Sequence, residues 1–355
     1  MRRVVREKQR ANALRWKAAG GGRSRTAFSM VELVVVVAII SVLLAITIPA
    51  ITQARQSARK AQCLNNLRNI AFALTQFDHV NHRLPASGSF QHDVSLYPHP
   101  HHSWAVSILP FIEQANVYKQ WHADKPITDP ANRPFTQAHI PVYTCPVDLS
   151  RNKEKKGDLS YAVNGGVGFT VRHVNGTRDC PVDARLVVLD LNGDGSACAG
   201  GPADDADRAA FKKLGLSFLE KWNTEITKRH HSLNDVYDGT SQTFLVTENM
   251  RTGFDPRSSQ GNFTDPSPLR SAFYIGNPCA NGACTSGNAN YSRCNAAESK
   301  INSGLWSEEG RSAVPNSSHA GGVNMAYADG HVSFLSESID GTVYAQPSQA
   351  RRVGC

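Results

Sequence analysis

From Phe28 onward the sequence has no excess of either charge. The first 27 residues hold nine of the 38 lysines and arginines (Arg2, Arg3, Arg6, Lys8, Arg10, Arg15, Lys17, Arg23 and Arg25) and one of the 30 acids, Glu7, which leaves 29 of each beyond them. The formal net charge of +8 therefore belongs to the leader, and a basic face for nucleic acid is not indicated. Residues 78–355 contain neither a second membrane-length apolar run nor a glycine-rich phosphate loop. The composition also lacks the low hydrophobicity and repeats of a disordered chain. With 355 residues the sequence is long enough for one large domain or two smaller ones.

One long apolar run is present, from Leu33 to Ala50. Eighteen residues at about 1.5 Å each give about 27 Å, near the thickness of a bilayer core. A basic segment before it fits a leader held on the cytoplasmic side. No clear A-x-A site follows the run, which makes a secretory signal peptide the second reading. After Pro49, apolar residues recur at three- and four-residue intervals (Ile51, Ala54, Ala58, Ala61, Leu64, Leu67, Ala71, Leu74 and Phe77). That spacing predicts an amphipathic helix over residues 51–78, continuous with the membrane run and bent at Pro49. Glu32 stands out, because an acid carried to membrane depth is unfavourable by about 2.5–3.5 kcal/mol unless it finds a partner, the alternative being an acid that snorkels at the bilayer surface.

Residues 79–355 read as an extracytoplasmic α+β domain with antiparallel strands and long loops. Ser103–Trp121 is expected to be a short helical segment. Tyr143–Pro146 and Ser160–Gly166 are read as turns between strands, and Thr243–Thr247 as a half-buried strand. A hairpin over 323–335 turns at Asp329-Gly330. A two-residue loop there would set Tyr327 opposite Val332 and Met325 opposite Phe334, on one apolar face.

Seven of the eight cysteines lie in turn-rich sequence and none forms a C-x-x-C pair. Disulfides outside the cytoplasm are favoured over zinc. Local candidates are Cys180 with Cys198, and Cys279 with Cys284 or Cys294. Asp190, Asn192 and Asp194 place oxygens as in the first half of a calcium loop, but Gly201 stands where a closing Glu belongs. Structural calcium and a plain polar turn both fit. The histidines at 99, 101 and 102, and at 230 and 231, could bind a transition metal but read more simply as solvated loop residues. A catalytic group of His319 with Ser317 or Ser318 and Asp329 lacks a nucleophile elbow and an oxyanion hole, so no enzyme is expected.

Ala27, Phe28-Ser29-Met30-Val31-Glu32 and the apolar run behind a basic leader resemble the prepilin cleavage and methylation motif of type IV pilins and type II secretion pseudopilins. The resemblance implies cutting between Ala27 and Phe28 by a prepilin peptidase that also methylates the new amine. It makes Glu32 the fifth mature residue and Pro49 the twenty-second. The family usually has glycine before the cut, where this chain has Ala27. SWAVSILPFIEQANVYKQW, TCPVDLS, SYAVNGG, DVYDGTSQTFLVTEN and SSHAGGVNMAYADGHVSFLSESID, in that order, further resemble a family best known from planctomycetes. Its members join a prepilin-type N-terminus to a domain of unknown function ending in His, nine residues and Asp-Gly, here His319 with Asp329-Gly330.

That resemblance implies a pilin-like fold and a basic leader over 1–27. The N-terminal helix would be transmembrane over 28–50 and amphipathic over 51–78, packed on the sheet. It implies a single-pass inner-membrane protein with its globular domain in the periplasm or at the cell surface. Other pseudopilins would contact it through their N-terminal helices at Phe28, Glu32 and Pro49. The other function considered is a monomeric, signal-anchored binding protein for a solute or glycan.

Overall fold

The computed structural model describes residues 28–91, 100–148, 157–172, 179–182, 189, 191, 207, 209–222, 231–250, 262–274, 300–303, 314–340 and 343–344. The chain divides into two compact units, Met1–Gln56 and Ser57–Cys355. A single helix, α1 (Met30–Asn81), runs through the division with Pro49 inside it.

In the first unit, every described residue from Phe28 to Gln56 is exposed. Among the described residues α1 is the one helix long and apolar enough to cross a membrane. In the second unit the stripe seen in the sequence is buried from Leu67 to Leu74, where Leu67, Ala71 and Leu74, with Ile70 beside them, have no exposed surface, whereas Ala58 and Ala61 are exposed and Leu64 and Phe77 are half-buried. The helix outlasts its expected end at Asp78 by one turn. Asp78 is an anchor, its Oδ2 accepting from Ser232 Oγ at 3.0 Å and from the Leu233 amide at 3.2 Å. The chain breaks away at His82, whose φ of +54° leaves the helical region.

Five strands form the main sheet, in the order β10-β9-β7-β3-β8: β3 Tyr161–Asn164, β7 Phe244–Glu248, β8 Ala272–Phe273, β9 Gly322–Tyr327 and β10 Val332–Ser336. Its pairings are antiparallel except that of β3 with β8. A three-stranded sheet joins β1 (Gly88–Gln91), β2 (Pro100–Ser103) and β6 (Leu219–Trp222), and β4 (Phe169–Arg172) pairs with β5 (Asp179–Val182). The second unit is thus α+β with mixed sheets.

The main sheet is apolar on both faces. Tyr161, Val163, Leu245, Val246 and Ala326 share a core with Cys63, Leu67, Ile70 and Leu74 of α1. Ala162, Phe244, Val323 and Met325 belong to a second core with Val167, Phe273 and Tyr344. A register shift between Phe244 and Val246 interrupts the alternation of β7, which places Leu245 and Val246 in the same core. β7 is therefore buried throughout rather than half-buried, as a strand covered on both sides must be.

Two other local expectations change. Ser103–Trp121 forms three short helical pieces, α2 (Trp104–Ser107), a 3-10 turn (Leu109–Ile112) and α3 (Ala115–Gln120). Pro110 enters the 3-10 turn, and Glu113, at φ +64°, ends it. Tyr161–Asn164, expected as a turn, is a buried strand, and Tyr143 ends a 3-10 turn, Pro141–Tyr143.

The C-terminal hairpin forms one residue out of the expected register. Val332 pairs with Ala326, Ser333 with Met325 and Phe334 with Asn324. The loop takes in Ala328, Asp329 and Gly330, closed by the Gly330 amide donating to Tyr327 O and the Tyr327 amide to His331 O. Gly330 has φ +88°, the left-handed residue that a three-residue loop requires. The slip turns Phe334 to the face opposite Met325, where Lys60 Nζ sits 4.1 Å from the ring centroid.

Candidate functional site

At the start of α1, Ser29 Oγ accepts from the Val31 amide at 3.3 Å, and Glu32 Oε2 accepts from the Ser29 amide at 3.0 Å. This is a capping box, in which an N-cap serine and an acid three residues on satisfy amides that the helix cannot. The S-x-x-E pattern was visible in the sequence, although Glu32 alone drew attention there. Ala27 lies outside the described residues. Phe28 and Pro49 are exposed.

In the second unit, four chemically able side chains meet between α1 and the sheet. Cys63 comes from α1, Cys145 from the segment after the Pro141–Tyr143 turn, Glu248 from the end of β7, and His319 from the loop before β9. All are buried, with His319 the least so at 8% exposed. Cys63 and Cys145 form a disulfide with Cα atoms 5.1 Å apart, spanning 82 residues of sequence. His319 Nε2 lies 3.1 Å from Glu248 Oε1. Cys145 Sγ is 3.8 Å from each of those two atoms.

The surroundings hold the group in place. One turn beyond Cys63, Asn66 Nδ2 donates to the carbonyl oxygens of Thr144 at 3.0 Å and Pro141 at 3.3 Å, which docks the Cys145 segment on the helix. The Cys145 amide donates to Ser160 Oγ, whose hydroxyl donates to Asp148. Asn324 holds both oxygens of Glu248, its backbone N–H donating to Oε2 and its Nδ2 to Oε1, each at 2.9 Å. The Tyr161 hydroxyl donates to the Cys63 carbonyl oxygen. Burial first, and Glu248 next, push the Tyr161 hydroxyl well above the usual tyrosine range.

His319 is thus a site residue, but with partners other than those considered from the sequence. Ser317 Oγ donates to Gly322 O and accepts the His319 amide, which shapes the loop entering the hairpin. Ser318 Oγ is directed at the Met250 sulfur, and Asp329 Oδ1 pairs with His331 Nδ1 at 2.6 Å. The structure does not join His319, a serine and Asp329 into one group.

Sequence reasoning passed over Cys63, Cys145 and Glu248. Cys63 falls on the apolar stripe four residues before Leu67, which marks it as a core cysteine, but its partner is far away in sequence. Of the local disulfide candidates, Cys180 lies in β5, and its side chain, with Cys198, Cys279, Cys284 and Cys294, falls outside the described residues. So do Asp190, Asn192 and Asp194. Beside that calcium candidate, buried Asp207 accepts the Leu191 amide through Oδ1 at 2.7 Å. His101 is buried, with Nδ1 3.0 Å from Ala123 O, so it is not a solvated loop residue.

A family model described as a protein of unknown function (DUF1559) matches residues 52–342. No curated protein and no solved structure matches the chain. The matched region contains all four residues of the buried cluster, whereas the apolar beginning of α1 precedes it. Since the match takes in most of the sequence, the chain belongs to this DUF1559 family.

Proposed function

We propose that the chain is a pseudopilin-like structural subunit, cut by a prepilin peptidase and assembled into a type II secretion or type IV pilus-like filament. The observation that carries this reading is the first unit: an apolar helix with every side chain exposed, opened by an acid three residues after Ser29. Exposed residues such as Leu33, Val37, Ile40, Leu44 and Ile48 favour a bilayer, and later the matching helices of neighbouring subunits. The basic leader would stay cytoplasmic and the second unit would face the periplasm or cell surface.

Glu32 gives the reading its mechanism. Cutting before Phe28 creates a cationic amine four residues from Glu32, on its own chain or a neighbour's. Pairing between subunits would relieve an acid that membrane depth otherwise penalises by about 2.5–3.5 kcal/mol. The capping contact to Ser29 satisfies one oxygen of Glu32 before assembly. Glu32→Gln is therefore the informative substitution, because glutamine retains the cap and removes the charge.

Intact-mass analysis of protein extracted from membranes is expected to find a chain beginning at N-methylated Phe28. Glu32→Gln is expected to insert normally but to lose crosslinked multimers. An uncut Met1 form, or cleavage after the apolar run, favours a monomeric signal-anchored binding protein instead. Unchanged crosslinking in Glu32→Gln removes the charge-pairing mechanism.

A further inference from the structure

The buried cluster has the composition of a metal site as well as that of a disulfide. One ligand atom from each of Cys63, Cys145, Glu248 and His319 lies within 4.8 Å of every other. Two sulfurs, an imidazole nitrogen and a carboxyl oxygen form a tetrahedral donor set suited to zinc, with sulfur selecting against magnesium and calcium. Zinc bonds of about 2.0–2.1 Å to nitrogen, 2.0–2.2 Å to oxygen and 2.3 Å to sulfur imply ligand–ligand edges of about 3.3–3.8 Å. The edges here are 3.1 Å from His319 Nε2 to Glu248 Oε1, and 3.8 Å from Cys145 Sγ to each of them. The sulfur–sulfur edge is a covalent bond and must open, and Cys63 Sγ must settle at bonding distance from within 4.8 Å of the other two ligand atoms.

We propose that reduction of the Cys63–Cys145 bond converts this cluster into a site for one zinc ion, giving the seam between α1 and the sheet two alternative closures. The conversion balances with an external dithiol or phosphine as reductant. Two electrons and two protons pass to the sulfurs and the Cys63–Cys145 bond breaks; a dithiol supplies both protons and leaves as its disulfide, whereas with a phosphine one water supplies both protons and the oxygen of the phosphine oxide. Zinc then takes both sulfurs as thiolates, which releases the two thiol protons, and binds His319 through Nε2 as the Nδ1–H tautomer and Glu248 through Oε1. An oxidant that restores the disulfide removes two ligands and expels the ion.

The polar surroundings suit the metal form. Asn324 grips both oxygens of Glu248, the kind of outer contact whose loss weakens metal sites about 10–100-fold. The ligands come from four segments far apart in sequence, so the ion would tie together the parts that the disulfide ties. The proposal is independent of the filament reading, since every residue it uses lies in the second unit.

The test uses the full chain in detergent, reduced anaerobically with a phosphine, then titrated with zinc and separately with cobalt as the optical probe. One tightly held ion per chain is expected beyond whatever the Cys63→Ser/Cys145→Ser double variant binds. The cobalt difference spectrum, wild type less double variant, should show thiolate charge-transfer absorption with a tetrahedral visible band. Asn324→Ala should weaken the site about 10–100-fold, and His319→Ala should alter the visible band. Zinc should raise the melting temperature of the reduced wild type but not of the double variant, and reoxidation should release the ion. The double variant and the reduced wild type equally lack the disulfide, so they compare fairly in fold. Equal zinc binding by these two overturns the proposal, as does a cobalt spectrum indifferent to His319.

Discussion

Tyr143 and Tyr161 illustrate how a single residue reports on its surroundings. Both are fully buried, the first donating to the Ala105 carbonyl oxygen and the second to that of Cys63. Burial raises both hydroxyls well above the ordinary range, and for Tyr161 the Glu248 carboxyl adds to the effect. An unfolded tyrosine ionises near pH 10. Below that pH both states keep their protons and the stability is fully present. Above it the unfolded chain loses protons that the fold retains, so stability falls by up to about 1.4 kcal/mol per pH unit for each group. In an alkaline titration, phenolate absorbance from these two residues is expected to appear only with loss of tertiary structure, and Tyr161→Phe to shallow the decline. Reversible ionisation of both near pH 10 in a folded chain would contradict this. Glu248 was hidden in the sequence because its neighbours Val246 and Thr247 read as an ordinary strand ending. Only the arrival of Asn324 and His319 from β9 and its entry loop gives the acid its role.

At the scale of elements, the hairpin shows where local pattern misleads. Asp329-Gly330 marks a turn, but a dipeptide cannot distinguish a two-residue loop from a three-residue one. The choice moves every side chain of β10 to the other face. Gly330 holds φ +88° in open space, with nothing within 4 Å of an added Cβ. Gly330→Ala should therefore cost about 1–2 kcal/mol through backbone strain alone, and Gly330→Asn less, since asparagine tolerates this region. Equilibrium urea unfolding checks the order, and equal stability of wild type and Gly330→Ala would refute the turn assignment. Gly322 differs, because a Cβ there would collide with the carbonyl oxygen of Leu335. The amphipathic half of α1 was readable because its repeat is a property of the helix itself. β7 was recognised as a strand but expected to be half-buried, and β3 was missed, because a strand covered on both faces need not alternate between apolar and polar residues.

At the scale of the second unit, the Cys63–Cys145 bond is the one covalent crosslink among the described residues. The disulfide spans 82 residues, and loops of that size support about 2–4 kcal/mol of stabilisation by restricting the unfolded chain. Cys63→Ser/Cys145→Ser in the oxidised protein is expected to lower the denaturation midpoint accordingly. The midpoint of the double variant should no longer respond to reductant beyond the contribution of other cysteines. A midpoint matching the oxidised wild type would show that packing alone holds the seam. Spacing along the sequence offers only near neighbours as partners; Cys63 and Cys145 are brought together by where helix and sheet meet.

The sequence by itself determined the helix, its apolar and amphipathic halves and the existence of a C-terminal hairpin, because each depends on contacts within a few residues. Tertiary structure alone decided the hairpin register and the burial of β3 and β7 on both faces. It also decided the meeting of Cys63, Cys145, Glu248 and His319. Those features depend on which distant segments share the face between α1 and the sheet, and no periodicity along the chain encodes that adjacency.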